Sequence, residues 1–198
     1  MNLFPSIVHC IDIPDYSEIK GSLIGQLLKE RALDPQGLKK SNCGGWHSRT
    51  NLHQDDNSIV KDTIFDNVAW YFSSNKILKE NSRLEFTAMW TMINGLNNYN
   101  EYHMHSGSDI AGVFWIKTPE GCGNLYFNSP HAYNTFAEEM HYSEEYKKEN
   151  NFYSSYWFPA TEGRIIMFPS SLYHSVKPNQ SGLERISVSF NITLSTDT

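Results

Sequence analysis

Long apolar runs are missing from this 198-residue chain, and no stretch approaches the ~20 residues that a membrane-spanning helix needs, so insertion into a bilayer is not expected. Basic runs are missing too. Lys and Arg cluster no further than pairs such as Lys39-Lys40 and Lys147-Lys148, and the net charge is −6. That balance excludes an extended phosphate-binding surface and leaves at most a single strand or a nucleotide as a nucleic-acid partner. Cysteine is scarce: Cys10, Cys43 and Cys122 are odd in number and show no CxxC spacing, which excludes a disulfide framework and a thiolate zinc site and suits a reducing, cytoplasmic setting. The N-terminus has no basic segment followed by an apolar one, so export is not expected either.

Apolar and aromatic residues are plentiful, at 39% and 14%, enough to bury the core of one domain spanning 1–198. Ile19, Leu23, Ile24, Leu27 and Leu28 recur at helical spacing after Pro14-Asp15. A second helix is expected over 58–81, with Val60, Ile64, Val68 and Phe72 on one stripe and Asn57 as its cap, and the Gly-rich segment 41–48 is expected to be a loop.

From Leu84 the period becomes two: Leu84, Phe86, Ala88, Trp90 and Met92 alternate with more polar neighbours, as on one face of a half-buried strand. Further strands are expected near 110–117, 123–127, 164–168, 174–177 and 184–194, divided by turn-rich stretches. Short strands with few helices between them predict a mainly β, α+β fold: an antiparallel sandwich or jelly-roll barrel over about 84–198, with helices of about 1–83 packed on one outer face. The segment 129–155 interrupts the strands and reads equally as a lid over the barrel mouth or as a solvated insertion.

The chemistry-bearing residues lie on these strands. His103 and His105 share a face if their segment is extended, and two neutral imidazoles so placed suit a divalent transition metal. Among 8 histidines such a pair arises readily by chance, and exposed histidines at a turn are the plainer alternative. The balance shifts at Gly163 to Pro169, an apolar strand followed by Ser170 and then His174, because a second histidine-bearing strand is what a third ligand requires. Arg185 opens a strand whose apolar positions are Ile186, Val188, Phe190 and Ile192, and whose polar positions are Arg185, Ser187, Ser189 and Asn191. The polar face meets solvent or turns into the barrel; in the second case a guanidinium with a hydroxyl beside it would bind a carboxylate.

The order His-x-His, then Gly-x-x-x-x-Phe-Pro-Ser-x-Leu-x-His ending on His174, then Arg185-x-Ser187 resembles the double-stranded β-helix family of 2-oxoglutarate and Fe(II)-dependent oxygenases. More narrowly, the segments 44–48, 103–115 and 184–191 resemble an oxygenase subfamily known from marine bacteria and their phages. The resemblance implies Fe(II) and 2-oxoglutarate as cofactor and cosubstrate, O2 as co-reactant, and hydroxylation of a small-molecule or protein substrate with release of succinate and CO2. It makes His103, His105 and His174 the metal set and Arg185, with Ser187, the seat of the far carboxylate of 2-oxoglutarate. Asn94 is a weaker candidate for the same pocket. Catalytic residues beyond the metal ligands are not implied, and the setting is a cytoplasm, the host's if the gene is a phage's. The family usually carries His-x-Asp/Glu, and here His105 stands at the acidic position; Asp109, reaching back across the turn at Gly107, is the alternative carboxylate.

Two other readings stand beside this one. His103-x-His105-x-x-x-Asp109 also resembles a cupin metal motif, for a metalloprotein without 2-oxoglutarate, and the many Tyr and Trp residues suit a non-catalytic jelly-roll module. Arg185 separates them, since only a keto-diacid cosubstrate needs a buried arginine.

Overall fold

Alternation of polar and apolar residues beyond residue 82 becomes two antiparallel sheets in a computed structural model of the protein, which describes residues 5–131 and 140–196. The elements run β1 (His9–Asp12), α1 (Tyr16–Leu33), β2 (Asn42–Cys43), β3 (Trp46–His47), α2 (Ile59–Ser74), β4 (Ser82–Asn94), β5 (Tyr99–His103), β6 (Ile110–Lys117), β7 (Leu125–Asn128), α3 (Glu144–Asn150), β8 (Ser155–Phe158), β9 (Arg164–Pro169), β10 (His174–Val176) and β11 (Arg185–Thr196). The larger sheet has the order β1-β9-β6-β11-β4-β3, the smaller β2-β5-β10-β7-β8.

Two layers of core follow. Leu23 and Leu27 of α1 and Val60, Ile64 and Val68 of α2 pack on the outer face of the large sheet, against Met89, Phe114, Val188 and Phe190 among others. Ala111, Val113, Trp115, Ile166 and Phe168 of the large sheet meet Leu125 and Phe127 of the small one in the second layer. β6 and β9 are covered on both faces by apolar neighbours and read as continuous apolar runs, whereas β11, also buried on both faces over its first half, alternates because its inner face is polar. This is the double-stranded β-helix that the family resemblance implies, with helices on one outer face. No helix among the described residues is long and apolar enough to cross a membrane.

Several local expectations need correction. Ser58, not Asn57, caps α2: its hydroxyl accepts from the Lys61 N–H at 3.1 Å. The helix stops at Ser74, and Lys76 takes a left-handed φ of 51°, so 75–81 is not helical. The Gly-rich loop 41–48 holds two short strands, β2 and β3, on opposite sheets, and the left-handed Gly44 and Gly45 carry the chain between them. β1, β5 and β8 also lie outside the expected strands. Of the insertion at 129–155, residues 132–139 lie outside the described residues, and the remainder includes α3.

The alternation across Leu84 to Met92 does not mark one face. Asn191 pairs with Ala88 but Ile192 pairs with Phe86, which leaves Thr87 as an extra residue on β4. The bulge inverts the strand: Leu84 and Phe86 pack toward the helices, whereas Trp90 and Met92 line the cavity between the sheets.

Candidate metal centre

β5 ends on His103 and β10 begins on His174, and the two residues are direct cross-strand partners. Val176 pairs with Asn100, so β5 spends three residues where β10 spends two, and this irregularity brings both Asn100 and His103 to the cavity. His105 follows the strand, its N–H donating to the Ser170 carbonyl at 2.9 Å. The three imidazoles converge, with ring centroids 5.2 Å apart for His103 and His105, 4.4 Å for His103 and His174, and 5.1 Å for His105 and His174. One ring nitrogen of each lies within 4.8 Å of those of the others.

The hydrogen bonds of the rings decide which nitrogens are free. His103 Nδ1 lies 2.6 Å from the Glu101 carbonyl, His174 Nδ1 2.9 Å from the Leu172 carbonyl and His105 Nδ1 2.5 Å from Asn191 Oδ1. All three partners are acceptors, so each Nδ1 carries the proton and each Nε2 presents a lone pair. His105 Nε2 and His103 Nε2 stand 3.2 Å apart. Two facing lone pairs repel at that distance, but nitrogens each about 2.1 Å from one ion would stand about 3.0–3.4 Å apart. Burial lowers the pKa of all three, and of His174 to about 3, with His103 adding to the effect, so the imidazoles are neutral as metal ligation requires. The donor set thus fits a divalent transition metal. Asp109 is not part of it; its Oδ2 accepts from the Leu194 N–H at 2.7 Å.

β11 supplies the opposite wall. Its apolar positions are buried in the helix-side core, and Ser187 and Ser189 line the histidine cavity together with Trp90, Met92, Val113 and Phe168. The polar face therefore points into the barrel and not to solvent. Arg185, on the same face, is 2% exposed. Its Nη1 donates to the Cys122 carbonyl and, at 3.1 Å, to the Lys177 carbonyl, and its guanidinium lies 6.0 Å from the Trp115 ring. Among the described residues no carboxylate pairs with it, and burial pushes its pKa down to about 10. Its cross-strand partner is Asn94, and Asn94 Oδ1 and Trp115 Nε1 are buried without a hydrogen-bond partner. Arg185 and Trp115 are not among the residues lining the histidine cavity, but a buried cation beside an unpartnered indole N–H fits an anionic ligand.

Residues around the site include some with no part assigned from the sequence motifs. His47 stacks on Trp90 at 5.6 Å and 2°, and Trp90 leans on His105 at 5.6 Å. Trp46 turns away, its Nε1 donating to the Asp34 carbonyl. Asn191 is visible in the sequence as a polar position on β11, but its bond to His105 spans 86 residues and depends on the strand pairing.

The family model described as "Putative 2OG-Fe(II) oxygenase" matches residues 88–191, which include the three histidines, Arg185 and Ser187. No curated protein matches the chain. Similar solved structures include a Pseudomonas putida prolyl-4-hydroxylase, with TM-score 0.63, 12% identity and coverage of 94% of this chain and 91% of that one. The viral collagen prolyl hydroxylase of Paramecium Bursaria Chlorella virus-1, solved with 2OG, is similar at TM-score 0.60 and 17% identity, covering 93% and 94%. HygX of Streptomyces hygroscopicus, with nickel and 2-oxoglutarate bound, is similar at TM-score 0.56 and 10% identity, covering 95% and 82%. At these identities the structures speak for the fold. The family model covers more than half of the chain, and the protein belongs to the 2OG-Fe(II) oxygenases, enzymes that depend on Fe(II) and 2-oxoglutarate.

Proposed function

We propose that Nε2 of His103, His105 and His174 holds Fe(II), that Arg185 and Ser187 hold the far carboxylate of 2-oxoglutarate, and that the enzyme hydroxylates an organic substrate. One observation carries the metal assignment: each of the three Nδ1 atoms faces an acceptor, which leaves three Nε2 lone pairs converging. Overall, substrate C–H, O2 and 2-oxoglutarate become substrate C–OH, succinate and CO2. Fe(II) held by the three histidines would supply the activation of O2. The protein's own residues would hold the metal at the three histidine Nε2 atoms, pair the far carboxylate with Arg185 and exclude water with Trp90, Met92, Val113 and Phe168.

The cross-strand row Tyr156, Phe127, His174, His103 runs over β8, β7, β10 and β5 and leaves Tyr156, 50% exposed, at the open edge of the small sheet. That edge is where the substrate, a small molecule or a protein segment, would enter. The chain works as one domain, 1–83 supporting the jelly-roll core of 84–198, in a cytoplasm.

Anaerobic titration with Fe(II) and 2-oxoglutarate tests the reading. A bidentate keto acid on iron gives a metal-to-ligand charge-transfer band, and its absence with iron bound would sink the proposal. Arg185→Ala is expected to lose 2-oxoglutarate binding and keep the metal.

A further inference from the structure

The three histidines are not held alike. His103 and His174 donate Nδ1–H to the backbone carbonyl two residues earlier in their own segments, Glu101 and Leu172, so their orientation is set locally. His105 has no such carbonyl; its Nδ1 meets the side chain of Asn191, on β11 of the opposite sheet, at 2.5 Å. The ring also meets Trp90, itself stacked on His47, and the rings of His103 and His174; these contacts limit its tilt, but Trp90 is indifferent to which nitrogen carries the proton.

An asparagine can present either a carbonyl oxygen or an NH2 to a ring nitrogen. With Oδ1 toward His105, Nδ1 keeps the proton and Nε2 is free to ligate; with the NH2 toward it, Nε2 would be protonated and useless as a ligand. Asn191 also stands where the β11–β4 register slips, next to the extra residue Thr87, a bulge of the kind that re-aims side chains beside active sites. Its carboxamide is neutral, so it orients the imidazole without returning the negative charge lost where His105 replaces a carboxylate.

From this we infer that Asn191 is the positioning residue of the metal site: it selects the ligating tautomer of His105 and keeps the site's charge one unit more positive than an aspartate there would. The inference rests on the three-histidine reading above. Because Asn191 touches neither metal nor substrate in this role, its signature is in metal affinity and in the electronic spectrum.

The test uses the whole chain, with far-UV circular dichroism and thermal melting confirming that each variant folds. Fe(II) affinity is measured by anaerobic calorimetric titration without 2-oxoglutarate, and the charge-transfer band is recorded after 2-oxoglutarate is added. Asn191→Leu is expected to weaken Fe(II) binding roughly 10- to 100-fold, the usual cost of losing a ligand's outer partner. Asn191→Asp restores an acceptor and adds charge, so Fe(II) binding stays within about threefold of the parent or tightens, and the band moves to longer wavelength because the imidazole becomes a stronger donor. A folded Asn191→Leu that binds Fe(II) like the parent overturns the inference. If that variant does not fold, Asn191→Asp decides: an unmoved band overturns it. Failure of the three-histidine reading looks different, since His105→Ala would then bind Fe(II) as tightly as the parent, and both claims would fall together.

Discussion

Arg185 is a cation kept from water, with two carbonyls on Nη1 and no anionic partner among the described residues. A buried charge without a counter-charge costs several kcal/mol, and an apolar side chain of similar size avoids that cost. Arg185→Met should therefore melt no lower than the parent in the absence of ligand, although it removes one of the largest fully buried side chains. The same variant should lose about 2–5 kcal/mol of 2-oxoglutarate affinity, as truncating one side of a buried charge pair does. Thermal melts and anaerobic titrations check the two halves, and a large drop in ligand-free stability would assign Arg185 to the scaffold. The sequence makes Arg185 and the histidines visible because motif spacing and a period-two strand single them out. Which nitrogen of each ring is free was not visible, since that depends on carbonyls and on Asn191, whose positions come from pairing.

At the scale of elements, Gly123 ties a turn to this arginine. It takes a φ of +90°, and a Cβ there would fall 2.2 Å from the Lys177 carbonyl oxygen and 2.9 Å from Arg185 Nη1. Gly123→Ala is therefore expected to cost about 1–3 kcal/mol through a forbidden backbone conformation and a clash, and to weaken 2-oxoglutarate binding while Fe(II) affinity stays near that of the parent. Chemical denaturation and the two titrations read these effects separately; unchanged cosubstrate affinity would count against the coupling. β6 and β9 were legible as strands because they are covered on both faces. β4 was legible as a strand but not in its facing, because the bulge at Thr87 leaves no mark in an alternating pattern and changes which residues reach the cavity. The strands β2, β3 and β10 are two or three residues long, too short for any periodicity to announce β2 and β3.

For the molecule as a whole, a metal and a cosubstrate that bind only the folded chain should raise its stability by mass action, by about 2.7 kcal/mol for a ligand at 100 times its Kd. The melting temperature should rise on adding Fe(II) with 2-oxoglutarate anaerobically and return when a chelator removes the metal. A second global effect comes from Glu30 on α1, whose Oε2 accepts from Thr91 of β4 at 2.7 Å and whose pKa is raised, chiefly by burial. The folded chain holds that proton more tightly than the unfolded one, so its contribution is complete below the ordinary glutamate pKa and is lost as the pH rises through the raised value. Glu30→Gln should accordingly melt higher than the parent at about pH 8, with the difference shrinking at about pH 4. Finally, β11 is twelve residues long and paired on both sides, whereas β10 has three and β8 four at an open edge. Amide hydrogens of β11 and β4 should exchange with deuterium only on global unfolding, and those of β8 and β2 through small local openings. The centre is then built half on the long, doubly paired strand β11, which carries Arg185 and Asn191, and half on short strands of the smaller sheet, which carry His103 and His174. Entry and exit at this site would be timed by the smaller sheet.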